Sequence, residues 1–149
     1  MYKVVIPCAG TGSRLQDLSR YINKALITVN QKPAITFVID KFPEDIEIVI
    51  PLGYKGESIK DFLSIAYPQR NFTFIDVDLY EGQGSGLGYS LLKCKHVLNC
   101  PFIFIPNDSI IEGDIPSPKF DWMGYSQNHT SEQYRSLKIN NKNIEDILA

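Results

Sequence analysis

Val4-Val5-Ile6-Pro7-Cys8-Ala9-Gly10-Thr11-Gly12-Ser13-Arg14-Leu15 is the stretch that decides how this chain of 149 residues is read. A short apolar run empties into a glycine-rich turn, as happens where a buried strand delivers its chain to the edge of a sheet. Such a turn brings backbone N–H groups against phosphate oxygens. Arg14, with Asn23-Lys24 nine to ten residues further on, adds two fixed positive charges. The stretch is suited to a polyphosphate.

Three more apolar, β-rich runs follow the first, Tyr2 to Pro7: Ile46 to Pro51, Phe72 to Val77 and Pro101 to Pro106. Their near-continuous apolar character predicts strands buried on both faces. Between them, Ala34 to Lys41, Glu57 to Tyr67 and Gly88 to Leu98 carry apolar residues at helical spacing. Strand alternating with helix predicts a parallel α/β sheet, and right-handed crossovers put the loops after the first, third and fourth strands at its carboxyl edge. Beyond these runs Trp122 to Tyr125 and Tyr134 to Ile139 read as further strands, antiparallel in sense. The segment from Asn143 to Ala149 has no evident cap or closing element. One domain spanning 1–149 is expected, with Ile115-Pro116-Ser117-Pro118 as a stiff, extended connection inside it.

Spacing separates the uses of a glycine loop. A Walker A loop needs four residues between its glycines and then Lys-Ser/Thr, and this segment has neither. A dinucleotide fingerprint needs a third glycine where Leu15 stands, and an acidic residue at the end of the second strand, where Ile50-Pro51-Leu52-Gly53 lies.

The segment from Val4 to Pro33 resembles the signature of the sugar-phosphate nucleotidyltransferases: a strand, a Gly-x-Gly-Ser/Thr-Arg-Leu loop, a spacer, a lysine, then Val-x-x-Lys-Pro leading a helix. The resemblance implies a Rossmann-like, three-layer α/β/α domain of GT-A type with a mostly parallel sheet, incomplete at its C-terminus. By the same resemblance the backbone of Ala9, Gly10, Thr11, Gly12 and Ser13 would hold the nucleotide. Arg14 would bind the β- and γ-phosphates, and Lys24 would stabilise charge around the α-phosphate. The family commonly has proline before the lysine, where this chain has Asn23.

Two further segments match the pattern. Glu81-Gly82-Gln83-Gly84-Ser85-Gly86-Leu87-Gly88 follows the third strand and opens a helix, and the resemblance implies that Glu81, Ser85 and Gly86 read the nucleobase. Phe102 to Ser109 resembles the family's strand ending in Gly/Asn-Asp, which makes Asp108 the ligand for Mg²⁺, a hard cation that keeps waters and phosphate oxygens around it. The implied reaction joins a nucleoside triphosphate to a phosphorylated small-molecule acceptor with release of pyrophosphate. Most members of the family activate sugar 1-phosphates for surface polysaccharides, and a close branch uses CTP with phosphocholine or related phosphates. A nucleotide-binding module without turnover is the contrasting expectation, because the acceptor-binding residues and second metal-binding aspartate of longer family members have no counterpart here. Asp121, Glu132 and Asp146 receive no such role.

Other features narrow the class. Fifteen basic and seventeen acidic residues give a net charge of -2 without a basic block, so nothing points to nucleic acid or a membrane surface. No apolar run approaches the roughly 18 residues of a membrane span. Cys8, Cys94 and Cys100 have no CxxC spacing, which argues against zinc and a secreted disulfide framework and for the cytoplasm. Self-association is left open. Asp76-Val77-Asp78 has the form of a glycosyltransferase DxD motif but reads better as polarity at a strand end. His96 and His129 share no ligand spacing with cysteines or carboxylates, and His96 reads as a partly exposed helix residue. Cys8 lacks a base and reads as a packing residue.

Overall fold

The computed structural model describes residues 1–126, 136–141 and 143–148, which fall in two compact units, Met1–Lys119 and Phe120–Ala149. In chain order the first unit runs β1 (Lys3–Val5), a 3-10 turn (Ser13–Leu15), α1 (Asp17–Arg20) and a second 3-10 turn (Lys24–Leu26). Then come β2 (Thr28–Val29), β3 (Lys32–Pro33), α2 (Ala34–Ile39), β4 (Ile48–Leu52), α3 (Gly56–Ala66), β5 (Phe72–Asp76), α4 (Leu87–Lys93) and β6 (Phe102–Phe104). The four long-range strands form one parallel sheet in the order β5-β4-β1-β6, with Val4 opposite Ile48 on one side and Ile103 on the other. The expected parallel α/β architecture is therefore present.

Alternation along the central strands sorts the core into two layers, since successive side chains leave opposite faces of a sheet. Val4, Ile6, Ile48 and Ile50 pack with Ile35, Val38 and Ile39 of α2 and Ile59 and Leu63 of α3. Val5 and Val49 point the other way, onto Cys94 with Leu91, Val97 and Leu98. Burying each such aliphatic side chain contributes about 1.5–3 kcal/mol. Both faces of the sheet are thus covered, which is why β1 and β4 read as unbroken apolar runs.

Helix ends fall short of the expected ones for local reasons. α2 stops at Ile39 instead of Lys41, where the chain tightens into turns, Lys41 N–H donating to the Val38 carbonyl and Phe42 N–H to the Ile39 carbonyl, both at 3.2 Å. α4 stops at Lys93 rather than Leu98. The chain beyond it tightens into turns, with Val97 N–H donating to the Cys94 carbonyl at 3.0 Å. His96 lies exposed in these turns rather than on the helix. β2 and β3 form a hairpin that periodicity did not suggest; Asn30 and Gln31 supply the two positive φ angles, 48° and 68°, that such a tight turn requires.

In the second unit, Trp122 to Tyr125 is not a strand. Trp122, Met123 and Tyr125 are exposed, Gly124 interrupts them, and among the described residues no partner strand supplies hydrogen bonds. Of the expected strand from Tyr134 to Ile139, Tyr134 and Arg135 lie outside the described residues, as do His129 and Glu132. The remainder forms β7 (Ser136–Asn140), which pairs antiparallel with β8 (Asn143–Leu148). β8 contains Asp146 and occupies the segment that showed no closing element in sequence. Among the described residues no helix is long and apolar enough to cross a membrane.

Candidate active site

The glycine loop leaves β1 under close restraint. Cys8 N–H donates to the Pro51 carbonyl at 2.9 Å, extending the pairing with β4 beyond the end of β1, and the Ala9 carbonyl accepts from Tyr54 N–H at 2.9 Å. Gly53 makes this approach feasible: a Cβ there would stand 2.7 Å from the Ala9 oxygen and 2.7 Å from Cβ of Tyr80. Gly53 thereby brings together the glycine loop and the segment after β5. The N–H groups of Gly10, Thr11 and Gly12 donate to no other described residue. Gly12 sits at φ 69° and opens the 3-10 turn that carries Ser13 and Arg14, both exposed. The loop therefore offers free donors next to an exposed guanidinium.

Lys24 reaches this loop from its own 3-10 turn. Its Cβ and that of Ser19 would lie 3.2 and 3.3 Å from a Cβ at Gly12, so glycine leaves room for the lysine. Ser19 Oγ donates to the Gly12 carbonyl at 3.0 Å. Lys24 Nζ is 3.1 Å from Asp108 Oδ2, with side-chain exposures of 25% and 57%. Asp108 follows β6, and its neighbour Asn107, fully buried, donates through Nδ2 to the Pro7 carbonyl at 2.8 Å. The structure thus places Gly12, Lys24 and Asp108, remote in sequence, side by side at the carboxyl edge of the sheet.

Residues 81–86 are placed less tightly. Gly82 and Gly84 take φ of 82° and 87°, Glu81 is exposed, and Ser85 Oγ donates to the Gly82 carbonyl at 2.7 Å, closing its own turn. The Gly86 carbonyl accepts from Ser90 N–H at 3.1 Å as α4 begins. No hydrogen bond joins 81–86 to the glycine loop among the described residues; Tyr80 supplies the link, its ring 6.4 Å from that of Tyr54. An open cavity lies here, lined by Tyr21, Gly53, Lys55, Gly56, Asp76 and Tyr80.

The carboxylates of Asp76-Val77-Asp78 have other partners. Asp76 lies 3.7 Å from Lys60 Nζ. Asp78 accepts from Lys93 Nζ at 2.9 Å and from the Tyr89 hydroxyl at 2.8 Å. The lysine hydrogen bond first, then the tyrosine's, lowers the Asp78 carboxyl from 3.8 to about 2. A depressed folded-state value stabilises the fold above the unfolded value and loses that contribution as pH falls towards the folded one. Asp78→Asn is accordingly expected to lower the thermal midpoint slightly at neutral pH, since the pair is exposed, and by less as pH falls to 2, as a pair of melting curves would read. The Cys8 thiol is pushed up to about 12 by burial, which leaves it protonated and without a nucleophile's role.

Asp108 is a hard oxygen donor beside the glycine loop, a position that fits Mg²⁺ held by one carboxylate and substrate oxygens. Among the described residues no cluster of three His, Cys, Asp or Glu side chains offers an all-protein metal cage.

No protein-family model matches the chain. It is 30% identical over 112 residues to the bifunctional protein GlmU of Methanococcus vannielii, covering 74% of this chain and 25% of that protein. It is 39% identical over 70 residues to the choline-phosphate cytidylyltransferase of Streptococcus pneumoniae, covering 46% of this chain and 30% of that enzyme. The solved CTP:phosphocholine cytidylyltransferase from Streptococcus pneumoniae superposes with a TM-score of 0.70 at 28% identity, over 99% of this chain and 64% of that one. The chain's relatives are sugar-phosphate nucleotidyltransferases and phosphocholine cytidylyltransferases. It spans about a quarter to a third of the length of these two curated relatives.

Asn23, Gly53, Tyr54 and Asn107 were not singled out as site residues from sequence. Each acts through contacts to chain segments far away; the local signals are the departure from proline at Asn23 and the Asn-Asp pair that contains Asn107.

Proposed function

We propose that this chain forms the nucleotide-handling part of a nucleotidyltransferase that moves a nucleoside monophosphate from an NTP to a sugar 1-phosphate, releasing pyrophosphate. The product would be a sugar nucleotide for surface polysaccharide, made in the cytoplasm. The observation that carries this reading is the convergence of Lys24 and Asp108 on the Gly12 turn, with Lys24 Nζ 3.1 Å from Asp108.

In this reading the free N–H groups of Gly10, Thr11 and Gly12 bind phosphate oxygens, and Arg14 offsets charge on the departing pyrophosphate. Lys24 faces the α-phosphate. A phosphate oxygen of the acceptor attacks the α-phosphorus in line, forming one P–O bond as the bond to the β-phosphate oxygen breaks. Mg²⁺ held at Asp108 would supply charge neutralisation on the phosphates. Positioning and electrostatics account for the catalysis, with no covalent protein intermediate. The loop at 81–86 reads the base, Glu81, Ser85 and Gly86 contributing.

A CTP-dependent transfer to phosphocholine or another small phosphate is the second reading, supported by the 39% identity over 70 residues to the choline-phosphate cytidylyltransferase. Pyrophosphate release from each NTP with sugar 1-phosphates and phosphocholine distinguishes the two acceptors. The panel belongs on this chain and on any longer natural form, since the chain spans only about a quarter to a third of these curated relatives. Thermal stabilisation by an NTP with no pyrophosphate from any pair, in either form, would replace the transferase with a binding module.

A further inference from the structure

Asn23 stands where the family resemblance leads one to expect proline, and its side chain is fully buried. Its Nδ2 donates to the Cys8 carbonyl at 2.9 Å and to the Tyr54 carbonyl at 2.6 Å, while Oδ1 accepts from Ala25 N–H at 3.0 Å. Two carbonyl partners on one side and an N–H on the other fix the amide orientation, because a flipped amide would set oxygen against both carbonyls. One side chain thus joins the end of the β1 strand, the turn after β4 and the first turn of the Lys24 segment.

The surrounding bonds close this into a ring. Tyr54 donates its N–H to Ala9 at 2.9 Å and its hydroxyl to the carbonyls of Ser19 and Arg20 at 3.1 and 3.0 Å. Asn23 lies at the middle of the ring and immediately precedes Lys24. Its backbone, at φ -64° and ψ 142°, suits proline equally well. The backbone shape therefore does not require asparagine; the three side-chain hydrogen bonds do.

We infer that Asn23 is a positioning residue, which locks the Lys24 turn to the glycine loop and so fixes the lysine ammonium relative to the phosphates. The inference rests on the nucleotidyltransferase reading for its kinetic consequence and on geometry alone for the lock. A lock of this kind acts on turnover more than on nucleotide affinity, because Arg14 and the loop N–H groups still hold the triphosphate when Lys24 is displaced.

The test measures three variants. Asn23→Ala removes all three bonds, Asn23→Asp keeps the acceptor but opposes a carboxylate to two carbonyls, and Asn23→Pro keeps the backbone angle with no amide. Hydrogen exchange at Cys8, Leu26, Ile27 and Tyr54, whose N–H groups are hydrogen-bonded around the lock, is expected to quicken in all three, with 48–50 unchanged. In the same variants kcat for pyrophosphate release should fall by about 10- to 100-fold, as a small misplacement of a reacting group does, with the NTP dissociation constant changing far less. Asn23→Asp should be slowest. If Asn23→Ala does not fold, Asn23→Pro carries the same readouts. Unchanged exchange at Cys8, Leu26, Ile27 and Tyr54 would overturn the lock, and equal losses of affinity and kcat, or an unchanged kcat, would overturn its positioning role. Should the unmodified protein and any longer natural form release no pyrophosphate with any pair, the transferase reading falls, and exchange alone decides the lock.

Discussion

Arg14→Ala is expected to lower kcat for pyrophosphate release by about 10²- to 10³-fold, the loss found when one preorganised donor to developing charge is removed. The folded protein should be little affected. Arg14 is exposed and forms no ion pair among the described residues, and substitutions at such positions stay within about 0.5 kcal/mol. Because the guanidinium faces the β- and γ-phosphates in the proposed function, NTP affinity should fall as well, which separates it from a residue acting only at the α-phosphorus. Arg14→Lys should recover only part of the loss, since an ammonium cannot make the paired, planar contact of a guanidinium. A thermal midpoint equal to that of the unmodified protein, with turnover near the assay's floor, is the expected pair of observations. Unimpaired turnover would remove Arg14 from the triphosphate site.

The parts of the molecule legible in sequence are those encoded by short-range chemistry. Continuous apolar runs gave β1, β4, β5 and β6, and the absent third glycine at Leu15 separated this loop from dinucleotide sites. Motif order put Lys24 and Asp108 in one site by resemblance, and the structure brings these residues, 84 apart in sequence, to 3.1 Å. What escaped was fixed by long-range bonding or by φ. The hairpin of β2 and β3 turns on Asn30-Gln31, and no glycine marks the two positive φ angles there. Trp122 to Tyr125 has strand-favouring residues but, among the described residues, no partner to complete its backbone hydrogen bonds, and propensity without pairing does not make a strand. Asn23 and Tyr54 matter because their partners lie 15 and 31 residues away from Asn23, a distance that no window of sequence reads.

Lys24→Met should match the loss at Arg14 in kcat, about 10²- to 10³-fold, but with a different signature. Methionine keeps the length and apolar stem of the side chain, so its contact beside Gly12 survives while the charge disappears. Losing the Lys24–Asp108 pair costs little stability, since both groups reach solvent, with 25% and 57% of their side chains exposed, and such pairs contribute about 0–1 kcal/mol. If Lys24 stabilises charge that develops at the α-phosphate, kcat falls and the NTP dissociation constant holds. Asp108→Asn gives the complementary arm. Lys24 and Asp108 touch, so their effects should not add: the double variant is expected to be little slower than the worse single one, as with groups that act as a unit. Additive losses would mean that the pair seen at 3.1 Å is a surface contact and that the two residues serve separate steps.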